Sequence, residues 1–512
     1  MARFTSILFP NGGAPEAVEA APDCFADLHL DEIIAAVTAG HPTDVDRFFY
    51  VPLHDVSTVE HRHQVFRDLE SDQTRQAVMN FAHGMQTMRH RLQQAKQLSN
   101  PLRRHGWFIY AVQTFCDAVA LLRNDLAAVE LTSRGLRDFD HYLDEYVESD
   151  TFRNLVSDSA AVQSELRRVR YTVHVQDLRV HVEKYEDQTD YSEAVVATFA
   201  RFATEVTKDY HVSLKDRADI NHVDEQILEC VAKLYPDASA LLDGFCRRNA
   251  GFVEPTIAHF DHEISFYLSY LAFVGRLTTE GLGGLNFSYP EVTTEPGALS
   301  ADDAFDLALA MKSEHAGQSL VSNGFRLSGS ERIFVVTGPN QGGKTTFART
   351  IGQCAYLASL GCPVPARRAR FTLADHIYTH FDRQENLSTL HGKLEDELIR
   401  IHGVLSRATT ASIIIMNESF SSTTVSDALT IGAEILERII QLRCIAVYVT
   451  FLDELASLDQ ACVSMVGEVA TDSPTQRTFH FTRRPADGLA YAAALADKYG
   501  LNYDVLRRRI GP

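Results

Sequence analysis

At 512 residues the chain can bury more than one hydrophobic core, and at about 150 residues per domain it predicts two to four units. Its 45% hydrophobic and 23% charged residues are those of an ordinary globular protein and exclude a disordered or collagen-like one. The formal net charge of −20 argues against a protein that coats nucleic acid by global electrostatics, so any DNA or RNA contact is expected to be local.

Up to about residue 30, Pro10, Gly12, Gly13, Pro15 and Pro22 predict a loop-rich lead-in. Residues 31–280 then read as a helical region. Met85, Met88, Leu92 and Ala95 recur at steps of three and four, one apolar stripe on a helix. Arg89, Arg91, Lys96, Arg103 and Arg104 share that segment, as either a nucleic-acid patch or a solvated helix face. The helical pattern continues over Phe108 to Leu122 and Phe139 to Tyr146. Between Val169 and Tyr185 the period switches to alternation, and two short strands joined by a tight turn are expected. Ile257, Phe260, Ile264, Leu268, Leu271 and Val274 mark a long amphipathic helix ending near Gly275. Leu282 to Pro296, with several Gly and Pro, reads as a linker into a third segment, residues 281–512.

That last segment alternates strands and helices, as a nucleotide-binding α/β domain does. Ser412 to Met416 and Ile445 to Val449 are predicted central parallel strands whose C-terminal ends meet a ligand. Thr478 to Phe481 suggests an edge strand and Tyr491 to Tyr499 a closing helix. Neither internal repeats nor low-complexity tracts occur. Eight dispersed cysteines without a C-x-x-C pair read as buried thiols of a reducing cytosol. With no apolar run near the roughly 18 residues that span a bilayer and no signal-peptide pattern, a cytoplasmic protein without a membrane partner is expected.

The chemistry is concentrated in IFVVTGPNQGGKTTFAR, Ile333 to Arg349. A short apolar strand leads through a Gly-rich turn into a helix, and Gly338, Gly343, Lys344 and Thr345 satisfy G-x-x-x-x-G-K-[ST], the P-loop pattern. The turn from Gly338 and Pro339 through Asn340, Gln341, Gly342 and Gly343 to Thr345 and Thr346 would curl its main-chain N–H groups, of which Pro339 has none, around phosphate at the helix's positive end. Lys344 would reach the β and γ phosphates, and the Thr345 hydroxyl would hold Mg²⁺. A P-loop also needs a carboxylate at a second strand end to steady the metal and a group to orient the attacking water. The run IIIMNES offers Asn417 and Glu418. Glu418 suits the water-orienting role. Asn417 stands where Asp is expected, so its oxygen would face a metal-bound water without charge, predicting weakened Mg²⁺ affinity and slow hydrolysis. The polar run Ser419 to Thr424, ending at Asp427, is either a phosphate-binding loop or a plain helix cap.

At this point the residues resemble a known family. TGPNQGGKTT, Thr337 to Thr346, is similar to the TGPN-x-GGKST of the MutS mismatch-repair ATPases. The likeness extends to Val364, Pro365 and Ala366, to Asn417–Glu418 with the Ser/Thr run and Asp427, and to Tyr491, Ala492 and Leu495. FYVPLHDVSTVEHRHQVFRDLE, Phe49 to Glu70, resembles that family's core and lever region, and the β element near Val169 sits where the family inserts a larger DNA clamp. Three departures stand out. Nothing resembles the mismatch-reading domain with its F-x-E wedge, Asn417 replaces the Walker B Asp, and Phe451 follows Thr450 where the family has a His.

The resemblance implies a multidomain protein: a mainly α-helical core/lever region with a small β insertion, followed by a P-loop α/β ATPase domain of the ABC/MutS type. It implies ATP and Mg²⁺ as ligands, with no other small-molecule substrate. It also implies a homodimer in which the partner's Ser421 to Asp427 loop, Thr424 included, completes each nucleotide site. The expected activity is slow ATP hydrolysis, with Lys344 and Glu418 as catalytic residues, coupled to clamp-like closure on branched or irregular DNA. A nucleotide-switched clamp with negligible hydrolysis and a module acting on RNA or ribosomes are the alternatives.

Overall fold

The computed structural model describes residues 4–10, 20–40, 44–176, 179–187, 222–278, 284–316, 320–382, 392–470, 473–486 and 507. Helices α1 (Cys24–Leu28), α2 (Leu30–Thr38) and α3 (Val56–Asp68) lead into the long pair α4 (Asp72–Gln97) and α5 (Pro101–Leu126), followed by α6 (Arg134–Glu148) and α7 (Asp150–Arg168). The hairpin β1 (Tyr171–Gln176) and β2 (Arg179–Lys184) precedes α8 (His222–Leu234), α9 (Pro236–Arg248) and α10 (Pro255–Arg276).

Two compact units result. One joins Met1–Phe4, Ser71–Leu131 and Asp138–Asp261; the other joins Thr5–Glu70, Thr132–Arg137 and His262–Pro512. The limits expected at residues 30/31 and 280/281 do not coincide with them, because residues 5–70 pack into the C-terminal unit. Within that unit the fully buried Arg62 donates to the Leu8 and Leu360 carbonyls, Gln353 to that of Leu28 at 3.0 Å, and Tyr356 to that of Phe49 at 2.8 Å. The expected lead-in is correspondingly part of a core: Ile7 and Leu8 are fully buried, and α1 lies inside it.

In the first unit Asn100 caps α5, its side-chain oxygen accepting from Leu102 N at 2.9 Å with Pro101 in the first turn. The stripe read on α4 is real: Met85, Met88 and Ala95 are buried, as is Phe81 on the same helix, with its ring centroid 5.8 Å from that of Phe260. Phe139 and Phe260 stack with ring centroids 3.5 Å apart. Of the basic residues, Arg89 pairs with Asp261 and Arg91 donates to the Tyr110 carbonyl, so these two serve the unit's own packing. The β1–β2 hairpin is antiparallel with Val173 opposite Val182, as the alternation predicts. Along α10 Ile257, Phe260 and Ile264 are fully buried as expected. Beyond Ile264, however, Phe266, Tyr267 and Tyr270 are the fully buried residues. Leu268, Leu271 and Val274 are half-buried, since rings bury more area than a branched aliphatic and take the deeper positions.

The second unit continues with β3 (Glu291–Thr293), β4 (Leu299–Ala304), α11 (Leu307–Ala316), β5 (Asn323–Arg326), β6 (Ile333–Thr337) and α12 (Lys344–Ser359). After these come β7 (Arg368–Thr372), β8 (Ile377–Phe381), α13 (Lys393–Arg407), β9 (Ile413–Asn417), α14 (Val425–Leu442), β10 (Ile445–Val449), β11 (Cys462–Ala470) and β12 (Ser473–Arg483). The segment read as a linker therefore contains a strand, β3, paired parallel to β7. A six-stranded sheet runs β12-β11-β6-β10-β9-β8, parallel except for the antiparallel edge strand β12; a second sheet runs β3-β7-β4-β5. Strands β6, β9 and β10 are buried throughout, which is why they read as continuous apolar runs rather than alternating ones. The helix expected over Tyr491 to Tyr499, with Ala492 and Leu495, lies outside the described residues.

Candidate functional site

Register brings the site together. Val449 of β10 pairs with both Val336 of β6 and Asn417 of β9, so three parallel strands end level with one another. The main chain past those ends is stitched laterally: Glu418 N donates to the Val449 carbonyl at 2.9 Å and Thr450 N to that of Val336 at 3.1 Å. A crevice outside the carboxyl ends of parallel strands is where open α/β sheets hold ligands.

Out of β6 the chain turns through Gly338 and enters α12 at Lys344, with Gly343 as the cap residue. Both glycines have positive φ, +123° and +88°. At Gly338 a Cβ would also stand 2.9 Å from the Gly467 nitrogen on β11, so close backbone approach enforces glycine there. The Lys344 ammonium is buried and folds back on the turn, donating to the Gly338 carbonyl at 3.1 Å, the Pro339 carbonyl at 3.3 Å and Asn340 Oδ1 at 3.1 Å. Burial pushes its pKa below the usual lysine value. The Glu418 carboxylate, 4.0 Å away, opposes that shift, Arg477 adds to it and Asp453 opposes it. Thr345 Oγ1 donates to Asn417 Oδ1 at 2.8 Å, so the two residues expected at a metal are neighbours.

Beside the turn lies a cavity of about 440 Å³ whose lining includes Gln341, Gly343, Lys344, Thr345 and Thr346. Its far wall was not foreseen. Leu309, Val321, Phe479 and Phe481 make that wall apolar, and Asn323 stitches it to β12, accepting from Phe481 N at 2.7 Å and donating to the Phe479 carbonyl at 3.0 Å. Phe481 also stacks on Phe347 of α12, centroids 4.6 Å apart. Alternation showed Phe479 and Phe481 to be in a strand; only sheet order shows that this strand flanks the glycine turn. Arg477, on the same strand, donates to the Asn340 carbonyl at 3.3 Å and was likewise missed.

Glu418 is half-exposed at the strand end, in a left-handed conformation with φ +51°. Thr424 is not brought to this cavity within one chain. Its side chain caps α14 by accepting from Asp427 N at 3.2 Å and donating to the Asp427 carboxylate at 2.8 Å, the helix-cap alternative. Phe451 is exposed. Among the described residues no three His, Cys, Asp or Glu side chains cluster as a metal site, and no helix is long and apolar enough to cross a membrane. The cysteines are free thiols; most are buried as expected, whereas Cys230 is exposed.

Comparison with known proteins bears on the same half of the chain. Residues 334–504 match the family model described as MutS domain V. The chain is 29% identical over 197 residues to the DNA mismatch repair protein MutS of Chlorobaculum tepidum, covering 38% of this chain and 22% of that protein. It is 30% identical over 195 residues to the DNA mismatch repair protein MSH4 of Arabidopsis thaliana, covering 38% and 23%. It is 26% identical over 241 residues to MutS of Thermotoga petrophila, covering 46% and 30%. The matched stretch thus spans less than a third of each relative's length. The helix-rich architecture with mixed sheets accords with a multidomain protein of this kind. Residues 334–504, which hold the glycine turn, Lys344, Thr345, Asn417 and Glu418, match MutS domain V, and over this segment the chain is similar to MutS-family proteins.

Proposed function

We propose that this chain is an ATP-binding protein that hydrolyses ATP slowly to ADP and phosphate and uses the nucleotide to close a homodimer on branched or irregular DNA. The observation that carries the reading is the buried Lys344 ammonium resting on the carbonyls of the glycine turn. A desolvated cation held by main-chain dipoles and a distant carboxylate gains most from an incoming phosphate anion, which would replace weak partners by charge-assisted ones. The N–H groups from Gly338 to Thr346 and the α12 N-terminus act on the same anion. The apolar wall with Phe479 and Phe481 offers a face on which a purine can stack.

The donor set also fits Mg²⁺, since Thr345 and Asn417 present hard oxygen donors side by side. When bound, that ion would polarise phosphoryl oxygens. Asn417 contributes no charge to it, so the ion is held more weakly than a carboxylate would hold it. Glu418 is the residue that would orient water. As that water attacks the γ-phosphorus, the bond to the β-γ bridging oxygen breaks, ADP leaves with that electron pair, and the water's proton passes to solvent or to the departing phosphate.

The partner's Thr424 loop is proposed to complete each site. Supporting this, Val425 beside Thr424 is 63% exposed and Phe451 is 49% exposed, apolar area left uncovered near the strand ends. DNA as the partner rests on the mismatch-repair proteins to which the chain is similar. Asn417 favours a second reading, a nucleotide-switched clamp with negligible hydrolysis. Calorimetry tests the core claim: ATP and ADP bind the wild-type chain, and Lys344→Ala weakens both by at least about 100-fold. Unchanged affinity in Lys344→Ala would end the proposal, and phosphate release measured with and without DNA separates the two readings.

A further inference from the structure

The turn that carries Glu418 is held in a conformation its residues do not favour. Between the end of β9 and α14, two non-glycine residues are left-handed, Glu418 at φ +51° and Phe420 at φ +64°. Such conformations persist only where surrounding structure over-determines them. The first is pinned by the Glu418 N–H on the Val449 carbonyl. The second is pinned by a side chain from another element: Phe420 N donates to Glu397 Oε2 at 2.8 Å, while the Phe420 ring is fully buried beside His380. Glu397 projects from α13 and is itself only 2% exposed. Its other oxygen, Oε1, is buried without a hydrogen-bond partner among the described residues.

Burying a carboxyl and leaving one oxygen unsatisfied is costly, so its use here calls for a return beyond packing. Burial pushes the Glu397 pKa up; the Phe420 N–H and Lys393 pull it back, Asp382 adds to the rise and Arg400 opposes it. The single bond to Phe420 N lies two residues beyond Glu418, whose carboxylate stands 4.0 Å from Lys344. Release of Phe420 N would let the turn relax to right-handed torsions, and those torsions set where the Glu418 side chain points.

We propose that Glu397 is a positioning residue for hydrolysis: by holding Phe420 N it locks the turn that keeps Glu418 beside Lys344. The inference rests on the reading of Glu418 as the water-orienting group. It assigns Glu397 no part in nucleotide binding, because Glu397 does not line the cavity beside the glycine turn.

The test uses the full chain with four single variants, Glu397→Gln, Glu397→Leu, Glu397→Asp and Glu418→Gln, and the double variant that joins Glu397→Leu to Glu418→Gln. Calorimetry gives ATP affinity and single-turnover phosphate release gives the rate. Glu397→Leu is expected to slow phosphate release about 10- to 100-fold, the cost of misplacing a reacting group by a fraction of an ångström to one ångström, with ATP affinity within about threefold of wild type. Glu397→Gln keeps an oxygen that accepts from Phe420 N and is expected to retain the rate within about threefold. Adding Glu397→Leu to Glu418→Gln is expected to slow it no further, because both act through one carboxylate. Should the leucine variant fail to fold, Glu397→Asp withdraws the carboxyl by one methylene and carries the same expectation. If Glu418→Gln is slow while the leucine and aspartate variants run at the wild-type rate, Glu397 has no such role. An additive double variant, or a glutamine variant as slow as the leucine one, also overturns it. Glu418→Gln at the wild-type rate, or no phosphate release from ATP-bound wild type, instead removes the underlying reading of Glu418 and this proposal with it.

Discussion

At position 417 a single atom separates the amide found here from the carboxylate that a P-loop ordinarily places at this strand end. The Asn417 oxygen is already committed to the Thr345 hydroxyl at 2.8 Å. Asn417→Asp would keep that acceptor and add charge beside Thr345, close to the half-exposed Glu418. Phosphate release is expected to rise about tenfold and its half-saturating Mg²⁺ concentration to fall by a similar factor, read from magnesium titrations at saturating ATP. Rates that stay flat would show that Asn417 is not what limits turnover. A second residue-scale effect lies away from the site. Burial first, and Arg67 second, push the His63 imidazole on α3 down to about 4 from its ordinary 6.5. The unfolded chain therefore takes up a proton before the folded one does. Stability is fully present above pH 6.5, falls as pH drops toward 4, and levels off below that, by roughly 3 kcal/mol in all. Urea unfolding at pH 7 and pH 4.5 would show the loss, and His63→Gln would lose less over the same interval; equal losses would refute the assignment.

Helix α12 shows how packing holds an element in place. α12 is buried along almost its whole length, and its N-terminus is aimed by β6 while its C-terminal carbonyl at Leu360 accepts from Arg62. Gly352 marks where this helix presses against its surroundings. A Cβ there would lie 2.6 Å from a Leu28 methyl and 2.7 Å from an Ile415 methyl, both on fully buried side chains. Gly352→Ala gains helix propensity on paper, yet overpacking is expected to dominate and cost about 1 to 3 kcal/mol. Thermal unfolding decides the sign, and a variant more stable than wild type would mean that Leu28 and Ile415 yield easily. The turn between β9 and α14 makes the complementary point. Thr424 is a good cap for α14 and needs no further role to account for its place, so its part in a partner's nucleotide site stands or falls with dimer formation.

For the whole molecule, nucleotide can favour a closed dimer only by as much as it binds that state more tightly than the open one. Light scattering is expected to show ATP with Mg²⁺ raising the mass from monomer to dimer, with no such rise for Lys344→Ala. A mass unmoved by ATP would remove the trans role of Thr424. With a net charge of −20, the proposed DNA binding would have to rely on a few local cations, predicting a log–log salt slope shallower than about −5. The sequence by itself was enough to locate the glycine turn, the strands read as ending at Val336, Met416 and Val449, and the departures at Asn417 and Phe451. Those signals are local: a turn favours glycine where φ is positive, and a strand buried on both faces is largely apolar. What only the tertiary structure decided was which distant segments meet. Sheet order set β12 beside the turn and so made Phe479, Phe481 and Arg477 neighbours of Lys344. Packing drew residues 5–70 into the C-terminal unit and brought Glu397 onto Phe420. Pairings between residues far apart in the chain leave no periodicity to read, because burial and hydrogen bonding select them only once the chain has folded.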